Sequence, residues 1–247
     1  MIFLKNLLLY SIVIVYTIIF SSVFVVILFF IRFFTSKRIA QKALRSIIVR
    51  YGTIITDYFA RLLVKVEYID SSKNITAKDP CVYVANHRSA SDPFLLGHLG
   101  GEFVQIVNLW PFKIPILGIC ANLAGYLSVR SMPFDDFAKE CKILFSQKVS
   151  IIGFPEGTRS NSSKMGQFHS TLFRVAKQNQ LKIVPLCIFG NHDKPKRKSL
   201  MINPGNIEIH TLPAISPDEY NKFSSFELKN YVREKMQIFI DQHSHLN

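Results

Sequence analysis

The sequence predicts an α/β fold, a layered domain with a largely parallel central sheet flanked by helices, plus an N-terminal membrane helix and an amphipathic helix. Three observations predict it. After residue 64, short runs rich in Val, Ile, Tyr and Phe alternate with helix-length segments. Such alternation implies parallel strands joined by helical crossovers. Leu7 to Ile31 form an uncharged run of 25 residues, nineteen of them Leu, Ile, Val or Phe. Between these regions, apolar residues recur at helical spacing among many basic ones.

The uncharged run, as a helix, is roughly 37 Å long at about 1.5 Å per residue. That exceeds a hydrocarbon core of about 30 Å. A signal peptide has an apolar region of only about 7–15 residues, and no small-x-small site follows here, so the run reads as a retained anchor. Lys5 precedes it, whereas Arg32, Lys37, Arg38, Lys42, Arg45 and Arg50 follow, with no acidic residue from Arg32 to Thr56. The basic excess places the body of the protein on the cytoplasmic side. The expectation is a membrane protein, single-pass or monotopic.

Ile39 to Val64 reads as the amphipathic helix. Leu44, Ile47, Ile48, Tyr51, Ile55, Tyr58, Phe59 and Leu62 share one stripe, while Gln41, Lys42, Arg45, Arg50 and Arg61 fall mainly elsewhere. That pattern suits a helix wedged between the domain and a headgroup layer. The expected division is residues 1–64 for the anchoring helices and 65–247 for the body. In the body, Val64–Ile69, Cys81–Ala85, Gly125–Val129, Val149–Phe154, Ile183–Phe189 and Ile207–His210 read as strands. Asp92–Leu99, Ile114–Leu123, Phe134–Gln147, Phe168–Gln178 and Ser225–His243 read as helices.

Charge and cysteine usage narrow the partners. A net charge of +13 calls for an anionic surface or ligand. No nucleic-acid module is recognisable, so nucleic acid is not expected and an anionic membrane surface is. Cys81, Cys120, Cys141 and Cys187 are scattered, without CxxC or zinc-finger spacing, which argues against a disulfide framework or metal cluster.

Two segments carry chemistry. Asn86-His87-Arg88-Ser89-Ala90-Ser91-Asp92 precedes Pro93 at a strand end. Proline suits the first helical position, making Asp92 the N-cap and leaving His87 in the preceding loop. One Asp92 oxygen then accepts a backbone N–H and the other accepts His87 Nδ1–H, leaving Nε2 as a base. Further along, Phe154-Pro155-Glu156-Gly157-Thr158-Arg159-Ser160 follows an apolar run. Gly157 permits close backbone approach, Thr158 and Ser160 add hydroxyls, and Arg159 offers a planar fork for a phosphate.

Together with Gly125-Tyr126-Leu127-Ser128-Val129-Arg130 and Val184-Pro185, these segments resemble the four ordered blocks of the glycerolipid acyltransferase family, whose best-known members acylate lysophosphatidic acid. The resemblance covers roughly Pro80 to Gly190. It implies that His87 is the general base and Asp92 orients it. It implies that Glu156, Gly157, Arg159 and Arg130 help bind the phosphorylated acceptor, and that Val184-Pro185 lies near the acyl site. No Gly-x-Ser-x-Gly elbow is present, so direct transfer is expected rather than an acyl-enzyme. Ser89 and Ser91 are expected to make loop hydrogen bonds.

The resemblance further implies a lysophospholipid acceptor, an acyl-CoA or acyl carrier protein donor, and no cofactor or metal. Lys164-Met165-Gly166-Gln167-Phe168-His169-Ser170-Thr171 departs from the family's lysine-rich, Gly-Ala-Phe-like stretch, which leaves open a specialised lipid acceptor. His169 there is expected to be a solvated helix-start residue, with contact to substrate as the alternative. A catalytically idle, membrane-tethered lipid-binding protein is the other alternative. The cluster Lys194, Lys196, Arg197 and Lys198 reads as a solvated loop, with contact to headgroups or an acidic carrier protein as the alternative.

Overall fold

The computed structural model describes residues 1–70, 79–108, 110–113, 117–160, 162, 164–196 and 198–246. Two N-terminal helices come first, α1 (Ile2–Phe34) and α2 (Lys37–Ile54). There follow β1 (Val64–Asp70), β2 (Val82–Ala85), α3 (Asp92–Leu95), β3 (Phe103–Ile106), α4 (Leu117–Leu123), α5 (Phe134–Ser146) and β4 (Ser150–Gly153). The chain continues through α6 (Thr171–Gln178), β5 (Ile183–Phe189), β6 (Gly205–Thr211), α7 (Pro217–Tyr220) and α8 (Ser225–Gln242).

The six strands form one sheet in the order β1-β6-β5-β2-β4-β3. Every neighbouring pair is parallel except β5 with β6. All residues of β2, β4 and β5 are buried. Strands covered on both faces read as continuous apolar runs, which is why these three are visible in the sequence.

Several expectations change. The strand β3 has no counterpart among the expected elements, since Gln105 interrupts a run of only four residues, all on the sheet edge. Gly125–Val129 is instead a loop that touches the sheet at a single bridge, Ile106 with Leu127. Gly125 has φ +78°, a left-handed conformation that ends α4 and turns the chain away. The predicted Ile39–Val64 helix starts at Lys37 and gives way to a π turn at Ile55–Phe59, then a 3-10 turn at Ala60–Leu62. Within the predicted Ile114–Leu123 helix, residues 114–116 lie outside the described residues. The predicted Phe168 start moves to Thr171, because Phe168 is buried in the core ahead of α6.

The two N-terminal helices lie against the domain. Asn6 exchanges two hydrogen bonds with the Ile202 backbone, 2.9 and 2.8 Å, and the Tyr10 hydroxyl donates to Leu200 O. Farther along α1, the Tyr16 ring stacks on Tyr51 of α2 at 5.3 Å, and Phe20 meets the same ring at 4.6 Å. The opposite side of α1 leaves Ile14, Val15, Ile18, Ile19, Val25 and Val26 exposed.

Arg45, expected on the polar face of α2, is instead buried. Its Nε donates to Ala124 O at 2.7 Å and its guanidinium pairs with Glu102 at 2.7 Å. Arg38 grips the same carboxylate through two nitrogens, 2.6 and 3.0 Å. Two of the basic residues that flank α1 therefore hold α2 to the domain.

Burial pushes the Glu102 carboxyl up, but the hydrogen bonds and charges of Arg38 and Arg45 outweigh it and the net direction is down from 4.5. A depressed carboxyl stabilises the fold above its unfolded value and loses that contribution as pH falls through the folded value. Glu102→Gln should cost about 3 kcal/mol at neutral pH, as for other buried pairs that lose one partner. The thermal midpoint of the wild-type protein should fall between about pH 5 and pH 3 more steeply than that of the variant.

Candidate active site

The site is built where β2 ends. Asn86 continues that strand with its side chain: Nδ2 donates to Ile188 O at 2.9 Å and Oδ1 accepts from Ile188 N at 2.7 Å. The amide copies a peptide's donor and acceptor, so the strand end is pinned to β5 where the chain turns out at His87.

His87 Nδ1 lies 2.9 Å from Asp92 Oδ2. A carboxylate only accepts, which puts the proton on Nδ1 and leaves Nε2 as the basic nitrogen. Asp92 is fully buried. Its Oδ2 also accepts the backbone N–H of Arg88 at 2.8 Å and of Ser89 at 2.9 Å, and its Oδ1 accepts Asn191 Nδ2 at 2.7 Å. The expected division of labour is thereby corrected. Helix α3 already includes Asp92 and is preceded by Ser91, so the carboxylate caps the loop ahead of the helix. One oxygen serves both His87 and the backbone, because residues 87–89 wrap around it. Four donors offset the desolvation of this charge.

The 154–160 turn grips His87 from the other side. Ser160 N donates to His87 O at 2.7 Å, and His87 N donates to Glu156 Oε1 at 3.0 Å. Glu156 Oε2 accepts Gly166 N at 2.8 Å. Phe154 stacks on the imidazole, with centroids 4.3 Å apart. Burial raises the Glu156 carboxyl, and the backbone donors of His87 and Gly166 oppose it. Both oxygens are thus occupied away from solvent, and Glu156 is not among the residues lining the cavity beside it. It departs from the place expected of a group that contacts substrate.

That cavity has a volume of about 690 Å³. His87, Arg130, Gly157, Thr158 and Arg159 all line it, so the structure brings together five of the seven expected site residues. Asp92 lies directly behind His87. Among the described residues neither Arg130 nor Arg159 makes an ion pair. Gly157 has φ +67°, and a Cβ there would stand 3.1 Å from the His169 ring. His169 is exposed just ahead of α6, as expected of a helix-start residue, and it also lines the cavity. Apolar walls come from Phe20 of α1, Ile48 and Val49 of α2, and Phe94, Phe103 and Leu172.

Other expectations separate. Ser89 and Ser91 both donate to Lys194 O at 2.6 Å, the loop bonds anticipated for them. Neither Val184 nor Pro185 lines the cavity. Pro185 lies in central β5 rather than at an edge, tolerated because the regular β5–β6 ladder begins at Leu186 and Pro185 serves there only as an acceptor, its carbonyl taking Leu212 N–H at 2.9 Å. Lys194 is buried against Asp193 at 2.8 Å instead of solvated, Lys196 and Lys198 are exposed, and Arg197 lies outside the described residues.

Two contributors escape sequence reasoning. Asn191 is the partner of Asp92 Oδ1, and its only signal is a polar side chain following Gly190 at the end of an unbroken apolar strand. Phe20 forms part of the cavity wall, yet a uniformly apolar helix shows no preferred face.

The comparisons with known proteins agree with this architecture. The family described as Acyltransferase matches residues 65–189. A chloroplastic 1-acyl-sn-glycerol-3-phosphate acyltransferase of Arabidopsis thaliana is 33% identical over 146 residues, 57% of this chain and 41% of that protein. One from Brassica napus is 31% identical over 175 residues, 69% of this chain and 51% of that protein. The chain spans about half the length of the curated relatives it matches. The crystal structure of a 1-acyl-sn-glycerophosphate acyltransferase from Thermotoga maritima has the same fold, with a TM-score of 0.79 at 22% identity over 99% of this chain and 98% of that one.

Proposed function

Because this chain belongs to the Acyltransferase family, we propose that it moves a fatty acyl group from a thioester to the free hydroxyl of a lysophospholipid. The acceptor is 1-acyl-glycerol-3-phosphate, the product phosphatidic acid, and the donor acyl-CoA or acyl carrier protein. The observation that carries this reading is the His87–Asp92 pair at the wall of a cavity that also holds two arginines without carboxylate partners among the described residues.

In this reaction His87 Nε2 takes the hydroxyl proton as the oxygen attacks the thioester carbonyl. Asp92 stabilises the resulting imidazolium. Collapse of the tetrahedral adduct breaks the C–S bond, and the imidazolium returns its proton to the departing thiolate. Arg130 and Arg159 hold the acceptor phosphate, which turns a bimolecular encounter into an oriented one. Gly157 and Thr158 supply backbone approach and a hydroxyl beside it. The apolar walls take acyl chains. Cys120 also lines the cavity, but burial pushes its thiol up to about 11, so it is a poor nucleophile at neutral pH. That favours direct transfer.

The membrane reading rests on α1. Ile2–Leu28 is a 27-residue apolar stretch, and its most apolar 18-residue window has a mean hydropathy of 2.7 and is only 11% buried against the domain. Exposed Lys37, Lys42 and Arg50 follow on α2 and suit anionic headgroups on the cytoplasmic side.

Mass spectrometry of products from mixed thioester donors and mixed lyso-acceptors tests the assignment. Phosphatidic acid should dominate. A dominant product without a phosphomonoester would assign a specialised acceptor instead. Absence of any acylated product would overturn the proposal.

Glu156 enters as a positioning residue. In Glu156→Gln an amide N–H must face the donor of either His87 or Gly166, a mismatch of about 1–3 kcal/mol. The expected outcome is a lower kcat with acceptor KM nearly unchanged, together with a lower thermal midpoint. A rise in acceptor KM alone would instead place Glu156 in contact with the phosphate.

A further inference from the structure

We propose that the loop carrying Lys196, Lys198, Leu200 and Met201 is a second membrane-contacting element, seated in the headgroup layer of an anionic bilayer beside α1. This inference rests on the membrane reading of α1 given above.

Leu200 is 78% exposed and Met201 38%, adjacent apolar side chains at the tip of a loop. Solvated loops seldom carry such a pair without a partner surface. Exposed Lys196 and Lys198 stand just before them, whereas Lys194 is committed to Asp193. An apolar tip with flanking ammonium groups matches the boundary between acyl chains and anionic headgroups, where long lysine stems bury and their charges stay in the polar layer.

Continuity with α1 selects the bilayer over a protein partner. The Asn6 amide pairs with both polar groups of the Ile202 backbone, and the Tyr10 hydroxyl reaches Leu200 O. These bonds satisfy the loop backbone from the protein side and hold its tip against the N-terminal part of α1. There Phe3, Leu4, Leu7 and Leu8 are each at least half exposed. The tip and the helix form one apolar surface, so whatever covers the helix meets Leu200 as well. Asn6 explains itself in the same way: a polar residue in an apolar helix is tolerated because its amide is used by the loop.

The four native cysteines are buried, so single cysteines can be introduced and labelled. Leu200→Cys, Ile18→Cys on exposed α1, and Lys139→Cys on exposed α5 would each carry an environment-sensitive fluorophore. Each protein would be reconstituted in phosphatidylglycerol/phosphatidylcholine vesicles without quencher, or with lipid bearing a nitroxide at either a shallow or a deep acyl-chain position. The label at 200 should lose at least half its emission to the shallow nitroxide and that at 18 to the shallow or the deep one, while the label at 139 should change little with either. Adding Lys196→Glu and Lys198→Glu should reduce quenching at 200 in anionic vesicles and leave it unchanged in pure phosphatidylcholine. Quenching at 18 but not at 200 would overturn this proposal and leave the anchor standing. Quenching at neither position would overturn both.

Discussion

His87→Ala is expected to lower acyl transfer by about 10²–10⁴-fold, the usual contribution of a positioned general base. Alanine removes the basic nitrogen that the loop after β2 offers to the cavity. The fold should survive. Asp92 keeps three of its four donors, from Arg88, Ser89 and Asn191, and the stack on Phe154 is lost at a partly exposed position. Product formation from a labelled thioester, together with thermal unfolding and sedimentation with vesicles, separates lost chemistry from lost structure. Wild-type activity in a folded His87→Ala protein would remove the proposed mechanism.

Asp92→Asn should be nearly as damaging, by about 10³-fold, and for a different reason. Four donors converge on this carboxylate, so the nitrogen of the substituted amide must face one of them. Asn191 provides the escape. Its Oδ1 is buried without a hydrogen-bond partner, and a flip of its amide would present that oxygen to the nitrogen introduced at position 92. The oxygen that remains there would still accept from His87, Arg88 and Ser89. Packing is thus retained while the negative charge that the proposed mechanism uses to stabilise imidazolium is gone. Calorimetry should show a loss of about 1–2 kcal/mol, small beside the kinetic effect. Adding Asn191→Leu removes the escape and should deepen the stability loss by more than the two single changes combined. Strict additivity would show that the flip does not occur.

What could be read from the chain follows from how locally each feature is encoded. The apolar runs of β2, β4 and β5 announce themselves because both faces are covered. His87, Asp92 and the 154–160 turn are legible because each sits where a strand ends and polar residues begin. The edge strand β3 is not legible, since Gln105 breaks its pattern. Nor is the burial of Arg45: its partner Glu102 is far away in sequence, and helical periodicity counts any arginine as solvent-facing. Asn86 and Glu156 share that difficulty. Their side chains serve backbone groups of remote segments, Ile188 for one and His87 with Gly166 for the other, and no spacing rule encodes such pairings. Glu156 shows the limit of motif transfer as well, because membership in a signature string does not reveal whether a carboxylate faces the ligand or its neighbours.

The aromatic ring that α1 contributes to the reaction chamber alters how a shortened version of this protein should be judged. Trimming the greasy leader is a common route to a water-soluble enzyme, and here it would take Phe20 with it. The pocket would lose part of its enclosure beside the imidazole, letting bulk solvent compete with the lipid alcohol for the activated ester. Such a truncated protein is expected to hydrolyse thioester at a raised rate while transferring less of it, so an activity ratio obtained without the leader describes a leaking vessel and not the intact catalyst.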